Sequence, residues 1–339
     1  MKIKIHDIAL KAGVSDGTVS NALNNKKGIS EEKRDQILQI AREMGYFHST
    51  KDDKKLIRLV IINNKANVIG DTPFFSELIR GIETECSANG YELAINHFES
   101  NDFEDTDIMQ LLKVNQTSGI LLLATELDAV DLRMFKKICI PLVVLDAAFK
   151  NPDFDYIAIN NVDGTYQIVE HLIINGHKKI GIINSAYQIN NFKERRLGYL
   201  QALYDYNLDF LPENEALVDP NPEGSYRDML SYLESFLKEF PASTLPSAFY
   251  AVNDNIAFGA LKALRELKLD ISICGFDNLP FSEMLTPALT TVNVDKRYLG
   301  KTAVGRLVSK ISSSDNNIQK ILVATSIVTR ASVKNLNLK

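Results

Sequence analysis

The chain has 339 residues, 45% of them hydrophobic and 24% charged, which is enough to bury sizeable cores in two or three domains. No apolar run approaches the ~20 residues of a membrane-spanning helix, and the segment MKIKIHDIALKAG lacks the apolar core of a signal peptide, so we expect a cytoplasmic protein. Cys86, Cys139 and Cys274 fit no metal or redox spacing. They are expected to be buried thiols, and neither a metal nor a cofactor is predicted.

Charge is unevenly distributed along the chain. The net charge of −5 argues by itself against a nucleic-acid partner. Residues 1–58, however, hold 12 Lys and Arg against 8 Asp and Glu, a net +4, whereas the remainder holds 26 against 35, a net −9. A small basic head on an acidic body favours a DNA-binding module carried by a larger domain.

The first 46 residues have the pattern of a small helical domain. They predict three short helices, over Ile5–Ala12, Asp16–Asn24 and Glu31–Met44. Ser15 and Ser30 occupy N-cap positions, and Gly13 and Gly45 fit turn or C-cap positions. The apolar residues spaced to share one core are Ala9, Val14, Val19, Leu23, Ile37, Ile40 and Ala41.

The segment IHDIALKAGVSDGTVSNALN is typical of a helix-turn-helix, whose second helix lies in the major groove with its first residues against base edges. The alternative is a small helical cap without a DNA role. The candidate DNA-contacting residues are Asp16, Gly17, Thr18, Ser20, Asn21 and Asn24. Asp16 repels phosphate but can accept a hydrogen bond from the amino group of cytosine, Gly17 offers no side chain, and Asn21 suits adenine.

From Leu56 onward, β-rich runs and helical stretches alternate in two series. The runs are LIRLVIIN, YELAINHF, GILLLA and PLVVLDA, followed by KIGIIN, SAFYAV and ISICGFD. The predicted helices lie near Phe75–Ala88, Glu104–Asn115, Asp128–Lys137, Gly164–Asn175, Glu194–Asn207, Tyr226–Leu237 and Asn255–Leu267. This pattern predicts two α/β lobes with doubly wound parallel sheets, whose ligands bind beyond the carboxyl ends of strands.

The predicted domains are a helix-turn-helix head over 1–46, a short linker over 47–56 and a body over 57–339. Within the body, lobe 1 covers about 57–160 plus 294–320, and lobe 2 covers about 161–293 plus 321–339. The linker segment FHSTKDDKK is polar and has no apolar periodicity, so it carries no predicted helix.

The sequence resembles the lactose/galactose repressor (LacI/GalR) family of bacterial transcription regulators. The matching motifs include DIALKAGVSDGTVSNALN, SEEKRDQILQIAREMGY, PFFSELIRGIE, DGTYQIVEHLIINGHKKIGII, RRLGYLQAL, NDNIAFGALKAL, DISICGFDN and PALTTVNVD. The resemblance implies a DNA-binding head on a periplasmic-binding-protein-like sensor, which dimerises on a palindromic operator. The tail TRASVKNLNLK has no leucine heptads, so we expect a homodimer and not a tetramer.

The resemblance also implies the residues that contact a small-molecule effector. They are Phe75, Asp146, Arg195, Asn253 and Asp277. The last four lie at strand ends or helix starts, and a sugar needs planar polar groups for its hydroxyls and a flat apolar face for its ring.

Ordinary structural roles are alternatives for most of these residues. Asn253 and Asp277 could cap helices, Arg195 could form a surface ion pair with Glu194, and Phe75 could belong to the core. Asp254 is expected to begin a helix and not to bind a ligand.

Relatives in the family usually have several more linker residues, including a hinge helix whose leucine enters the minor groove. FHSTKDDKK has no such pattern, and the hypothesis is that the hinge helix is absent here.

Three functions remain open at the level of the sequence. The leading one is an effector-controlled transcription regulator, most often a repressor in this family, which senses a sugar or a related metabolite. The second is a regulator gated mainly by a protein co-effector, with a degenerate pocket. The third is an α/β enzyme with an accessory head. The sequence shows no nucleophile elbow, phosphate loop or metal-ligand spacing, which argues against this third function.

Overall fold

The computed structural model describes residues 3–23, 26, 28–44, 46, 55–63, 68, 73–99, 117–138, 140–150, 153–313 and 317–338. Several predictions lie outside these residues, namely those for Asn24, Gly45, Cys139, linker residues 47–54, for which we expect no hinge helix, and the helix over 104–115.

The head consists of three helices, α1 (Ile5–Ala12), α2 (Asp16–Leu23) and α3 (Glu31–Glu43). The chain turns between α1 and α2 at Gly13, whose φ of 63° is a left-handed conformation that glycine adopts at little cost. The Ser15 hydroxyl accepts from the Thr18 amide at 3.1 Å, and the Ser30 hydroxyl accepts from the Lys33 amide at 3.4 Å. Both predicted N-caps are therefore confirmed.

The helices of the head pack on one small apolar core. Its buried residues are Ile8, Ala9, Ala12, Val19, Ala22, Ile37 and Ala41, and Val14, Leu23 and Ile40 are among the partly buried residues around it. All seven predicted core residues are included, because the helix period and the glycine turn together determine which side chains meet.

Beyond the head, strands and helices alternate as predicted. In chain order they are β1 (Leu56–Asn63), α4 (Pro73–Ala88), β2 (Glu92–Glu99), β3 (Thr117–Leu123), β4 (Leu142–Leu145), β5 (Asp155–Ile159), α5 (Asn161–Ile174), β6 (Ile180–Ser185), α6 (Asn190–Asp205), β7 (Glu215–Val218), α7 (Pro222–Glu239), β8 (Ala248–Ala251), α8 (Asp254–Glu266), β9 (Ser272–Asp277), β10 (Thr290–Asn293), α9 (Lys296–Ser312), β11 (Lys320–Val323) and β12 (Ser326–Val328).

The strands form two sheets with the same internal order. The first sheet runs β11-β5-β4-β3-β1-β2, and the second runs β12-β10-β9-β8-β6-β7. Strands β1 to β5 are parallel, as are β6 to β10, and β12 joins β10 antiparallel. In each sheet the chain adds successive strands first on one side and then on the other. The change of side lies between β1 and β3 in the first sheet and between β6 and β8 in the second. Such switch points are where doubly wound sheets bind ligands, beyond the carboxyl ends of the strands.

The contacts divide the chain into two compact units. The first comprises Met1–Asn64, Ile79–Ile157 and Gly300–Ile321, and the second comprises Lys65–Leu78, Ala158–Leu299 and Leu322–Lys339. These units are defined by contacts within the chain and do not test the predicted lobe boundaries, which stay a prediction. Within the described part of the chain, every helix is too short or too polar to span a bilayer.

A few elements differ from the prediction. The helix predicted near Asp128–Lys137 is a shorter 3₁₀ helix over Asp131–Lys137. The Asp128 carboxylate accepts from the amides of Val130 and Asp131 at 2.6 and 3.0 Å, and these bonds hold residues 128–131 in a turn before the helix begins. Sequence patterning did not predict β5, β7, β10, β11, β12 or α9. The strands are only three to five residues long, which is too short for a clear period.

A buried ion cluster fastens α9 to the first sheet. Asp155, which is fully buried at the start of β5, accepts from Arg306 Nε at 2.7 Å, from Lys310 Nζ and from the Gln319 amide at 2.9 Å. Arg306 also donates to the Asn317 carbonyl at 2.6 Å. All of these groups belong to the first unit, and one carboxylate therefore joins β5, α9 and the segment before β11.

Candidate functional site

The second helix of the head presents a polar face away from the core. Val19 and Ala22 are buried on one side of α2. At 3.6 residues per turn, the candidate DNA-contacting residues Asp16, Gly17, Ser20 and Asn21 lie within roughly 140° on the opposite side. Asp16 and Gly17 are exposed, and Ser20 and Asn21 are half-buried.

Thr18 differs from the other candidates on α2. Its hydroxyl is 2.8 Å from the Ser15 hydroxyl, and its amide donates to the same Ser15 oxygen. Both polar groups of Thr18 therefore help to close the first turn of the helix. Its DNA contact stays a prediction.

In the second unit, Arg195 is the centre of a buried polar network. Its Nε donates to Asn161 Oδ1 at 2.9 Å, one terminal nitrogen donates to the Val252 carbonyl at 2.7 Å, and the other donates to Asp277 Oδ1 at 3.1 Å. The guanidinium lies over the Phe276 ring, 3.7 Å from its centroid. Arg195 is only 3% exposed. The alternative role considered from the sequence, a surface ion pair with Glu194, is therefore wrong.

Asp277 ends β9 in an unusual backbone conformation. Its φ is 109° and that of Asn278 is 48°, which are left-handed values that residues other than glycine rarely adopt. Lys296 Nζ supports this turn by donating to the Asp277 carbonyl and to the Val294 and Asn278 carbonyls at 3.3 and 3.4 Å. Burial raises the pKa of the Asp277 carboxyl, while the cations of Arg195 and Lys296 oppose the rise. Asp277 pairs with an arginine and does not cap a helix.

A second carboxylate, that of Asp254, is buried at the start of α8. It accepts from the Leu279 amide at 2.9 Å and from the Ser282 and Thr291 hydroxyls at 2.6 Å each. Only glycine fits at position 275, because a Cβ there would be 2.3 Å from an Asp254 oxygen. Asp254 therefore holds the connection between β9 and β10 in place.

Asn253 and Phe75, the other two effector candidates in the second unit, make contacts of their own. The Asn253 side chain caps α8 by accepting from the Ile256 amide at 2.8 Å, so the capping role considered from the sequence is present. Phe75 is 8% exposed and packs edge-to-face on Phe74 at 5.0 Å. The Phe74 ring in turn lies 5.7 Å from Lys296 Nζ.

Asp146 belongs to the first unit and occupies the equivalent position in the first sheet. It follows β4, the fourth strand of its series, as Asp277 ends β9, the fourth strand of the other. Its φ is 64°, and it accepts from the Thr125 hydroxyl at 2.7 Å. Strained backbone of this kind clusters at functional sites, which supports both aspartates as candidates.

Two polar residues of the network, Asn161 and Lys296, were not predicted from the sequence. Lys296 is the first residue of α9, where a cation opposes the helix dipole. The sequence signal for Lys296 is its unfavourable charge at a helix start, directly after the motif PALTTVNVD. Asn161 gave no such signal.

The buried Asp254 carboxyl predicts a pH dependence of stability. Burial and the neighbouring Asp277 raise the pKa of Asp254 from 3.8 to about 7. The folded chain then holds a proton that the unfolded chain releases, so this stabilisation is full below about pH 4 and is lost as pH rises through about 7. We therefore expect the free energy of unfolding of Asp254→Asn minus that of the wild type to increase as the pH rises from about 4 to about 7.

The measurement is urea denaturation from pH 4 to 8, with Asp209→Asn as the control for an exposed carboxylate. The asparagine can keep the Leu279 and Ser282 contacts through its oxygen and donate to the Thr291 hydroxyl. A difference between variant and wild type that stays constant with pH would contradict the assignment.

The two parts of the chain match known protein families. The model described as "Bacterial regulatory proteins, lacI family" matches residues 4–49, and that described as "Periplasmic binding protein-like domain" matches residues 169–333. The HTH-type transcriptional repressor PurR of Actinobacillus pleuropneumoniae serotype 3 (strain JL03) is 30% identical over 345 residues, which cover 98% of this chain and 99% of that protein.

Solved structures share the fold over nearly the full length. The transcriptional regulator CelR in complex with cellobiose has a TM-score of 0.72 at 22% identity, covering 98% of this chain and 100% of that one. The lac repressor dimer bound to operator and the anti-inducer ONPF has a TM-score of 0.69 at 23% identity, with the same coverage.

A helix-turn-helix head followed by a two-sheet periplasmic-binding-protein-like body defines a class of transcription regulators. The chain belongs to the LacI family of bacterial regulatory proteins. The predicted fold and the predicted DNA-binding regulator are confirmed, and the enzyme alternative is wrong, because this family consists of transcription regulators.

Proposed function

We propose that this regulator is a repressor whose homodimer binds a palindromic operator through α2 of each head and responds to a small-molecule effector. The effector is a sugar or a related metabolite, held by Phe75, Asp146, Arg195, Asn253 and Asp277. The repressor name of the sequence relative and the cellobiose complex of the structural relative support this proposal. The proposal includes a cytoplasmic location, because the operator DNA lies there.

The observation that supports the effector site most directly is the buried pair of Arg195 and Asp277. The pair lies at the carboxyl ends of β8 and β9, the edge of the sheet where doubly wound sheets bind ligands. A carboxylate accepts from hydroxyl groups and a guanidinium fork donates to them, so the pair offers both halves of the recognition of a polyhydroxylated ligand.

The effector needs only a modest coupling energy to control the operator. A coupling of about 1–3 kcal/mol between two sites changes affinity roughly 5- to 150-fold. The strained turn at Asp277 and Asn278 is a suitable element for such coupling, since Lys296, the first residue of α9, donates to its carbonyls and so joins the turn to that helix.

The test combines calorimetry with a gel shift. The full-length protein is titrated with neutral sugars and sugar phosphates, and its binding to the DNA upstream of its own gene is measured with and without each compound. We expect specific binding to one duplex, altered by a compound that calorimetry detects. Tight binding of none of the compounds, with specific DNA binding intact, would favour the protein co-effector.

Asn21→Ala is expected to reduce sequence specificity more than total DNA affinity. Asn21 lies on the polar face of α2, where its amide can form a bidentate contact with adenine worth about 1–3 kcal/mol of discrimination. Anisotropy titrations against a selected duplex and its scrambled form measure the ratio of the two affinities. An equal loss for both duplexes, or an unchanged ratio, would argue against base reading by Asn21. The melting temperature of the variant serves as the folding control.

A further inference from the structure

The polar face of α2 carries a side-chain pair that joins the two helices of the motif. His6 Nδ1, on α1, lies 3.1 Å from Oδ1 of Asp16, the first residue of α2. An ionised carboxylate only accepts hydrogen bonds, so Nδ1 carries the proton and donates it. The two side chains are 66% and 58% exposed, and a pair this open to water contributes little to the stability of the head.

Two other charged residues of α1 have contacts of their own. Asp7 accepts from the Lys4 amide at 2.7 Å at the start of α1, and Lys11 lies 3.9 Å from Glu43 on α3. Among the described residues of the head, the His6 imidazole is the donor that faces the Asp16 carboxylate. The N-terminus of α2 stabilises the same negative charge through its dipole.

We propose that His6 is a positioning residue for base recognition by Asp16. The Nδ1–H donor holds one carboxylate oxygen of Asp16 and leaves the other oxygen to accept from the exocyclic amino group of a cytosine. A carboxylate held in one rotamer loses less conformational freedom on binding. This inference rests on the proposed placement of α2 against DNA.

The experiment is a double-mutant cycle on a duplex selected by the wild-type protein from a randomised library. Each base pair of one half-site is varied in turn, and affinities are measured for the wild type, His6→Ala, Asp16→Ala and the double variant. We expect Asp16→Ala to abolish a preference of roughly 5-fold to 100-fold at one base pair. His6→Ala should weaken the preference at that same base pair and have no further effect on it once Asp16 is alanine.

Two variants separate positioning from general effects. His6→Gln keeps a donor for Asp16 and should restore the preference, whereas Lys11→Ala removes a charge from the same helix and should lower affinity equally for all duplexes. A base profile that His6→Ala leaves unchanged, or an additive double variant, would overturn the proposal. Failure of the wild type to select any duplex would instead refute the placement of α2 on DNA.

Discussion

Arg195→Ala is expected to lower the free energy of unfolding by about 3–5 kcal/mol and to abolish effector binding. The substitution removes three donated hydrogen bonds, to Asn161, Val252 and Asp277. It also leaves the buried Asp277 carboxylate without its hydrogen-bonded partner, with Lys296 as the cation that remains and with the like-charged Asp254 nearby. Urea denaturation measures the first effect, and calorimetry with the compound that the wild type binds measures the second.

Three variants make this expectation specific. Arg227→Ala removes an exposed arginine whose ion pair with Asp228 spans 3.5 Å, and it should cost no more than about 1 kcal/mol. Arg195→Met combined with Asp277→Asn removes both charges and should recover much of the stability, but not the effector binding. Arg195→Lys keeps the charge without the planar fork and should still lose affinity. Normal effector binding by Arg195→Ala would contradict the proposed site.

Asp155→Ala is expected to have a comparable effect on stability, about 3–5 kcal/mol, without any role in ligand binding. The carboxylate is fully buried and joins Arg306, Lys310 and the Gln319 amide. Its removal leaves the buried Arg306 and the partly exposed Lys310, both toward the C-terminal end of α9, without the anion that they share. Equilibrium unfolding in urea measures the loss.

A neighbouring acidic residue provides the matched control. Asp153 forms an ion pair with Lys136 at 2.6 Å, but both side chains are 49% exposed, so Asp153→Ala should cost about 1 kcal/mol at most. Similar losses for Asp153→Ala and Asp155→Ala would show that the buried cluster contributes no more than a surface pair.

The head and the alternation of the body were predictable because their signals are local. Gly13, Ser15 and Ser30 mark the turn and the helix starts, and the helix period then determines the buried residues. Similarly, the apolar runs that form β1 to β4, β6, β8 and β9 were recognisable as strands. The short strands β5, β7, β10, β11 and β12, and α9, which contains Gly300 and Gly305, have weak local signals and depend on neighbours distant in sequence.

The sequence pointed to Arg195 and Asp277 as candidates, but it predicted neither the bond between them nor the parts of Asn161 and Lys296 in the network. Arg195 and Asp277 are 82 positions apart, and no local pattern could pair them. The left-handed backbone of Asp146 and Asp277 is likewise set by the surrounding fold, because aspartate does not choose that conformation by itself. The support from Lys296 depends on three backbone carbonyls, which a sequence does not display.

The central claim is that effector and operator binding are coupled, and reciprocal affinities test it most directly. The operator dissociation constant is measured with and without saturating effector, and the effector dissociation constant is measured with and without operator. Linkage predicts that both change by the same factor, roughly 5- to 150-fold. An effector that binds tightly while the affinity for the operator stays the same would contradict the account.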